Sequence, residues 1–329
     1  MKNKFRNLFL AFGILAVIIM LFTFDVSYDE LLDNLRRAGF YLPLVLVLWL
    51  FIYLINTLSW YIILRSSGPV NSLSFARLYK FTVSGFALNY VTPVGLMGGE
   101  PYRIMELTSY VGVERATSSV ILYVMMHIFS HFCFWLSSVL IYVFFYPVGW
   151  GMGIVLGLIT LFCLLFVTLF IKGYRNGMAV ACVGLGSHIP FLKKRAVRFA
   201  ELHKEKLETI DSQIALLHQQ RKSTFYLALG LEYTARIVGC LEVWLILNVL
   251  TTDVSFVGCI LIVAFSSLLA NLLFFLPMQL GGREGGFALA VAGLSLSGAY
   301  GVFAALITRV REMVWIVIGL VLMKIGNRR

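Results

Sequence analysis

Apolar runs along this chain alternate with short charged or glycine- and proline-rich breaks, and the length of each run decides what it predicts. A helix rises about 1.5 Å per residue, so roughly 20 consecutive apolar residues cross a hydrocarbon core. Runs of that order cover 7–24, Tyr41–Leu64, Thr117–Tyr146, Gly151–Ile171, Thr224–Leu250 and Ala299–Met323. They predict an all-α polytopic integral membrane protein with about six full spans. Lys2, Lys4 and Arg6 precede the first run in the charge order of a signal peptide, but no small-residue cleavage site follows it, so a retained helix is expected.

Two apolar stretches end differently. Phe81–Leu96 is stopped by Pro93, Gly95, Gly98, Gly99, Glu100, Pro101 and Arg103, and the run that closes at Leu276 is stopped by Pro277, Gly281, Gly282, Arg283, Glu284, Gly285 and Gly286. A shift of 184 residues lays Pro93 on Pro277, Leu96 on Leu280, Gly98 on Gly282 and Glu100 on Glu284, and also Trp60 on Trp244 and Phe81 on Phe265. Irregular backbone at membrane depth is tolerated only where protein buries it or it lines a cavity. Each breaker therefore predicts a broken, re-entrant hairpin, and the pair predicts a repeat: 41–146 and 224–323, joined by a connecting span at 149–171, all within one membrane domain, 1–329.

Charge orients this plan. The segment Asp25–Phe40 sets Asp25, Asp29, Glu30 and Asp33 against Arg36 and Arg37 and suits the outer side, whereas Lys324, Arg328 and Arg329 end the chain inside. With both termini inside, the span before the first breaker and its counterpart before the second run in opposite directions, so the repeat is of inverted topology. Residues 190–222 form the one sizeable polar block, carrying Lys193, Lys194, Arg195, Arg198, Lys204, Lys206, Arg221 and Lys222 against Glu201, Glu205, Glu208 and Asp211. Ala200, His203, Leu207, Ile210, Ile214 and Leu217 recur at three and four, so a cytoplasmic amphipathic helix resting on anionic inner-leaflet lipid is expected; a solvated connector is the plainer reading.

Composition narrows the classes. At 60% hydrophobic and 13% charged residues, with mean hydropathy +0.89, the chain lies outside the soluble globular range. The net charge of +11 sits in short blocks at the ends of apolar runs, which argues for membrane orientation and lipid contact rather than nucleic acid. The five cysteines show no CxxC spacing and read as small buried hydrophobes.

Ionisable residues inside spans cost about 2.5–3.5 kcal/mol each at the centre and carry functional hypotheses by default. Glu232 and Arg236 stand four apart in one span, with Glu242 further along it, and Arg309 and Glu312 stand three apart in another, with Arg311 turned well away from Arg309. Both pairs are also readable as structural ion pairs. His127 and His131 stand four apart, but no third ligand at recognisable spacing accompanies them, so no metal and no cofactor is expected. Glu100 and Glu284 suit the starts of the helices after each breaker, either as caps or as site groups. Free N–H groups at such starts attract phosphate and arginines grip it, so Arg103, Arg236, Arg283 and Arg311 are the headgroup candidates.

The motifs Thr92-Pro93, Gly98-Gly99-Glu100-Pro101 and Arg103, then Gly112 before a long apolar helix, then Leu276-Pro277, Gly281-Gly282 and Glu284-Gly285 resemble the flippase-like membrane domain family. That family includes the membrane domain of bacterial lysylphosphatidylglycerol synthase and stand-alone relatives. The resemblance runs from about residue 7 to 323 and implies lipid translocation between leaflets of a bacterial-type inner membrane, with Pro93, Gly98, Gly99, Glu100, Arg103, Pro277, Gly282 and Glu284 at the carried-over positions. Where family members often carry an acidic residue and an arginine after the first motif, this chain has Met126-His127.

The expected function is a flippase moving a phospholipid or other polar-headgroup lipid, with no Walker-type motor in the sequence. Its substrate partner is a membrane lipid. An integral-membrane lipid-diphosphate phosphatase or headgroup transferase is the alternative, opposed by the lack of a phosphate loop, an Asp-rich metal motif or a nucleophile beside a base. A scaffold for an envelope-lipid biosynthetic enzyme is a third reading.

Overall fold

The run that begins at Tyr41 folds, in the computed structural model of the protein, as one uninterrupted helix, α1 (Tyr41–Ser66). The structure describes residues 33, 36–70, 73–91, 98–176, 198, 204–205, 208, 211–212, 222–272 and 282–325. The span expected at 7–24, the breaker prolines Pro93 and Pro277, and most of 190–222 lie outside these residues. One face of α1 buries Ile52, Asn56, Trp60 and Ile63 at three- and four-residue intervals, while Val47, Leu50, Phe51 and Leu58 on the other face are exposed. A helix apolar on both faces, with one of them unpacked, is built for lipid.

After α1 come α2 (Phe75–Val91) and α3 (Gly99–Val111), and then α4 (Val113–Phe145). Gly112 separates α3 from α4 with φ +83, in the left-handed region where a side chain is strained, so the chain turns without a longer loop. Then follow α5 (Trp150–Asn176), α6 (Lys222–Leu247), α7 (Phe256–Leu272), α8 (Gly282–Ala292) and α9 (Gly298–Lys324). The described part is all helical, and α1, α4 and residues Trp150–Ile171 of α5 are each long and apolar enough to cross a membrane. This is a multi-pass membrane protein. Helices α6 and α9 match α1 in length but carry Glu232, Glu242, Arg309, Arg311 and Glu312 in their interiors, which lowers their mean hydropathy.

Neighbouring helices in sequence pack together: α1 on α2, α2 on α3, α3 on α4, and likewise α6 on α7, α7 on α8, α8 on α9. Across the molecule α1 lies along α6, α2 along α9 and α4 along α7, with α4 also against α1 and α6, and α9 against α6 and α1. The apolar interior between them is aromatic. Trp60 stacks on Tyr123 with centroids 5.5 Å apart, and Tyr53 meets Trp315 edge-on at 4.9 Å.

The four-residue spacing of Gly149, Gly153 and Gly157 allows close helix packing, but among the described residues no helix approaches α5 there. A Cβ at Gly149 or Gly157 would meet nothing, and at Gly153 only Val148 of the same turn region. The tight crossings fall at isolated glycines instead. On Gly319 of α9 a Cβ would strike Ala87 Cβ at 2.5 Å and Val83 O at 3.0 Å of α2, and on Gly301 it would strike the Phe287 backbone of α8. Packing at backbone distance thus follows where the helices cross, not how many glycines share a face.

Candidate functional site

Between α1, α2, α4, α6, α7, α8 and α9 lies a cavity of about 280 Å³. Its charged lining is three arginines, Arg236, Arg283 and Arg311, and three glutamates, Glu232, Glu242 and Glu312, joined by His127 and His131. Such a concentration of ionisable groups inside an apolar helix bundle is costly unless each charge is matched, and the matching is specific.

At one side, Arg311 Nε and Nη2 donate to Glu242 Oε1 and Oε2 at 2.8 and 3.0 Å, a fork that fits the carboxylate plane. Trp49 Nε1 from α1 donates to the same Oε2 at 2.8 Å, and the Arg311 guanidinium lies over the Trp49 ring, 3.7 Å from its centroid. The cation therefore has a carboxylate in its plane and an aromatic face beneath it. Glu312 stands 3.6 Å from Arg311 and bridges to Arg283 of α8. Arg309, one turn back from Glu312 and turned away from Arg311, bridges instead to Glu284 of α8. The charges expected as an i, i+3 pair within α9 thus both reach across to α8, crosswise.

At the other side, Glu232 Oε2 accepts from Asn56 Nδ2 of α1 at 3.0 Å and pairs with His127 Nδ1 of α4 at 2.7 Å. Its neighbour one turn on, Arg236, donates to Ser130 Oγ at 2.6 Å, His131 Nε2 at 2.7 Å and His127 O at 2.5 Å. Among the described residues no salt bridge joins Glu232 to Arg236, although their i, i+4 spacing allows one. The reason is that α4 offers Arg236 three acceptors on one turn while α1 and α4 together hold the carboxylate. Because an arginine only donates, His131 Nε2 is an acceptor, and the His131 proton sits on Nδ1, aimed at His127 O at 3.3 Å.

The sequence candidates divide as follows. Arg236, Arg283, Arg311, His127, His131, Glu232 and Glu312 line the cavity; Gly98, Gly99, Glu100, Arg103, Glu284 and Arg309 are not among its lining. Pro93 and Pro277 are outside the described residues, and Gly282 is the first residue of α8. Glu100 belongs to a separate buried cluster: its Oε1 accepts from Asn89 Nδ2 at 2.9 Å and Arg103 Nη1 at 3.1 Å, and Asn89 Oδ1 accepts the Gly99 N–H at 2.8 Å. Arg103 is packed between Phe86 and Tyr123, at 4.7 and 5.3 Å from their centroids. A Cβ on Gly85 would overlap that arginine, and one on Gly99 would overlap Gly85 O, so α2 and α3 meet at backbone distance here.

Three participants were not singled out from the sequence: Asn56, Trp49 and Ser130. Asn56 carried a readable signal, being an amide in the middle of an otherwise apolar run; an amide there costs free energy unless it is partnered. Ser130 is one of several serines that α4 hydrogen-bonds to its own backbone, and nothing in its neighbourhood in sequence marks it out. Among the described residues no three His, Cys, Asp or Glu side chains come together as a metal-holding group.

No curated protein and no solved structure matched the chain. A family model did: the one described as the lysylphosphatidylglycerol synthase TM region matches residues 8–320. A membrane helix bundle closed around a charged cavity is thus accompanied by a match over nearly the whole sequence, and the chain belongs to the lysylphosphatidylglycerol synthase TM region family.

Proposed function

We propose that this protein is a flippase: it moves a phospholipid, or another lipid with a polar headgroup, between the leaflets of a bacterial-type cytoplasmic membrane. The observation that carries this reading is the cavity, which sets three arginines, three glutamates and two histidines inside an apolar bundle. A headgroup crossing the hydrocarbon core needs such a lining, while its acyl chains remain in lipid outside. The family assignment supports the same reading. Arg283 and Arg311 are held ready by carboxylates and Arg236 by neutral acceptors on α4, so a phosphate would exchange with a partner already in place rather than meet a bare cation. The site residues of this reading are the cavity arginines, with Glu100, Arg103 and Glu284 fixing the helices that begin after the two breaks.

The halves α1–α4 and α6–α9 are read as an inverted repeat. Their helices run 26, 17, 13 and 33 residues in the first half and 26, 17, 11 and 27 in the second. The packing pairs between the halves come in exchanged counterparts: α2 with α9 answers α4 with α7, and α1 with α9 answers α4 with α6. Rocking of the halves about the shared α1–α6 seam would open the cavity to one leaflet and then the other.

The test is leaflet exchange of a fluorescent phosphatidylglycerol in proteoliposomes. Arg236→Ala is expected to lower the exchange rate at least about tenfold, the equivalent of about 1.4 kcal/mol, with the protein still monodisperse on size exclusion. Exchange equal to the unmodified protein in both Arg236→Ala and Arg311→Ala would remove the cavity from the transport path. Phosphate release from prenyl diphosphate by the purified protein would favour an enzyme instead.

A further inference from the structure

The three carboxylates of the cavity do not have equivalent partners. Glu242 is gripped by Arg311 and Glu312 by Arg283, and an arginine keeps its charge at any pH a cell meets. Glu232 is held by His127, whose charge comes and goes, and by the neutral amide of Asn56. Its side chain has no exposed surface, and its second oxygen, Oε1, has no hydrogen-bond partner. Among the cavity carboxylates Glu232 is thus the one whose hydrogen-bond partners, an imidazole and an amide, carry no fixed charge, and it keeps one oxygen open.

Geometry also supplies the route. The His127 side chain is 30% exposed and lines the cavity, Nδ1 is on Glu232, and among the described residues Nε2 has no hydrogen-bond partner. A proton delivered from water to Nε2 converts the imidazole to imidazolium and takes the pair from one negative charge to none. Return of that proton to water on the other side restores the starting state, with no other reactant needed. His131 does not compete for the proton, since Arg236 donates to its Nε2 and would be pressed against a second cation.

The other groups facing the pair leave it the odd one out. Its own helix brings Arg236, already saturated by α4; α4 brings Tyr123 as well as His131, α3 brings Arg103, which is paired with Glu100, and α2 brings Tyr90. From α1 come Asn56 and Tyr53, and from α7 only the uncharged Ser266, Ser267 and Asn271 reach the cavity. Arg311 and Glu312 of α9 and Arg283 of α8 neutralise one another together with Glu242.

We propose that Glu232 and His127 form a proton-binding site that couples lipid movement to the proton gradient, one proton accompanying each anionic headgroup. With both histidines neutral, the three arginines and three glutamates of the cavity cancel. One bound proton leaves the cavity singly positive, the charge that a phosphodiester balances. The proposal deepens the flippase reading and rests on it for the coupling, though not for the proton site itself.

Two measurements separate those parts. The first is pH-difference infrared spectroscopy of the full chain in nanodiscs across pH 5 to 8, the range in which an ordinary histidine changes charge. The unmodified protein is expected to show a titrating imidazole or carboxyl signal that Glu232→Gln removes and His127→Gln alters. Size exclusion and thermal melting verify that both variants are folded. A spectrum without any titrating signal, or one left unchanged by both substitutions, overturns the proton site. The second imposes a pH gradient on proteoliposomes and reads the leaflet ratio of fluorescent phosphatidylglycerol at steady state. Coupling of one proton per lipid shifts that ratio about tenfold per pH unit, since one unit is about 1.36 kcal/mol. A ratio indifferent to the gradient in a protein that does exchange lipid overturns the coupling. A titrating signal in a protein that exchanges no lipid overturns the flippase reading and leaves the proton site standing.

Discussion

Arg311 of α9 and Glu242 of α6 form a two-pronged ion pair, 2.8 and 3.0 Å, with the guanidinium lying flat on Trp49 of α1. Three helices are pinned at one point, with Arg311 and Glu242 buried and Trp49 half-buried. Breaking a buried pair by removing one partner leaves an uncompensated charge and costs about 3–5 kcal/mol, whereas replacing both by apolar groups of similar volume is often close to neutral. Glu242→Leu alone is therefore expected to destabilise the protein by that amount in a denaturation assay in detergent. Adding Arg311→Met to it should recover most of the loss. Arg311→Lys keeps the charge but loses the fork and the flat stacking, so it should fall between the two.

The crossing of α2 and α9 gives a second expectation. Gly319 leaves no room for a side chain between the helices, since a Cβ there would meet Ala87 Cβ at 2.5 Å. Gly319→Val should cost about 1–3 kcal/mol by overpacking, read as a lowered midpoint of thermal unfolding. The comparison is Gly157→Val on α5, where among the described residues a Cβ meets nothing. That substitution should leave the midpoint close to that of the unmodified protein.

What the sequence made legible, and what it did not, follows from how local each signal was. The helices from Tyr41, Thr117, Gly151, Thr224 and Ala299 were readable because an apolar run carries its own evidence, and they begin and end within a few residues of those runs, three of them long and apolar enough to cross a membrane. The individual cavity charges were readable too, since any ionisable residue inside a span stands out. Their partners were not. Glu232 and Arg236 look made for each other at i, i+4, yet one is held from 176 and 105 residues away, by Asn56 and His127, and the other from 106 and 105, by Ser130 and His131. Charge pairing across helices is decided by which faces meet, and composition within one helix is silent on that. The regular glycines at 149, 153 and 157 are silent for the same reason: spacing permits a close approach, while the approach itself needs a partner helix.

The cluster around Arg103 yields a third prediction. Gly85 is open because Arg103 lies against it, between Phe86 and Tyr123. Gly85→Ala should displace the guanidinium and loosen its bond to Glu100, lowering stability by about 1–3 kcal/mol. In the background of Arg103→Ala the same substitution should cost less, because the space is vacated. A double-mutant cycle reads this directly: a coupling energy above about 0.5 kcal/mol is expected for residues in contact, and additivity would show that the arginine does not depend on the glycine.

The last prediction concerns α8, the short helix after the second break. Two adjacent residues of opposite sign, Arg283 and Glu284, are tied to α9 by the crosswise bridges to Glu312 and Arg309. Arg283 and Glu312 line the cavity and are part of the site, so neutralising either confuses loss of the tie with loss of the lining. The Glu284–Arg309 bridge is outside the lining and isolates the mechanical question. Glu284→Gln should weaken the hold of α8 on α9, and if α8 moves as part of the rocking halves, leaflet exchange should change by several-fold while lipid binding to the cavity does not. The reversed pair, Glu284→Arg with Arg309→Glu, restores opposite charges across the same gap and should return exchange toward the original rate. Two cycles of measurement, exchange in proteoliposomes and lipid retained through purification in mild detergent, decide between a tie that is mechanical and one that only holds the fold. A reversed pair that remains as impaired as the single substitution, with its melting midpoint restored, would mean that the carboxylate at 284 is needed for its chemistry rather than for its grip on α9.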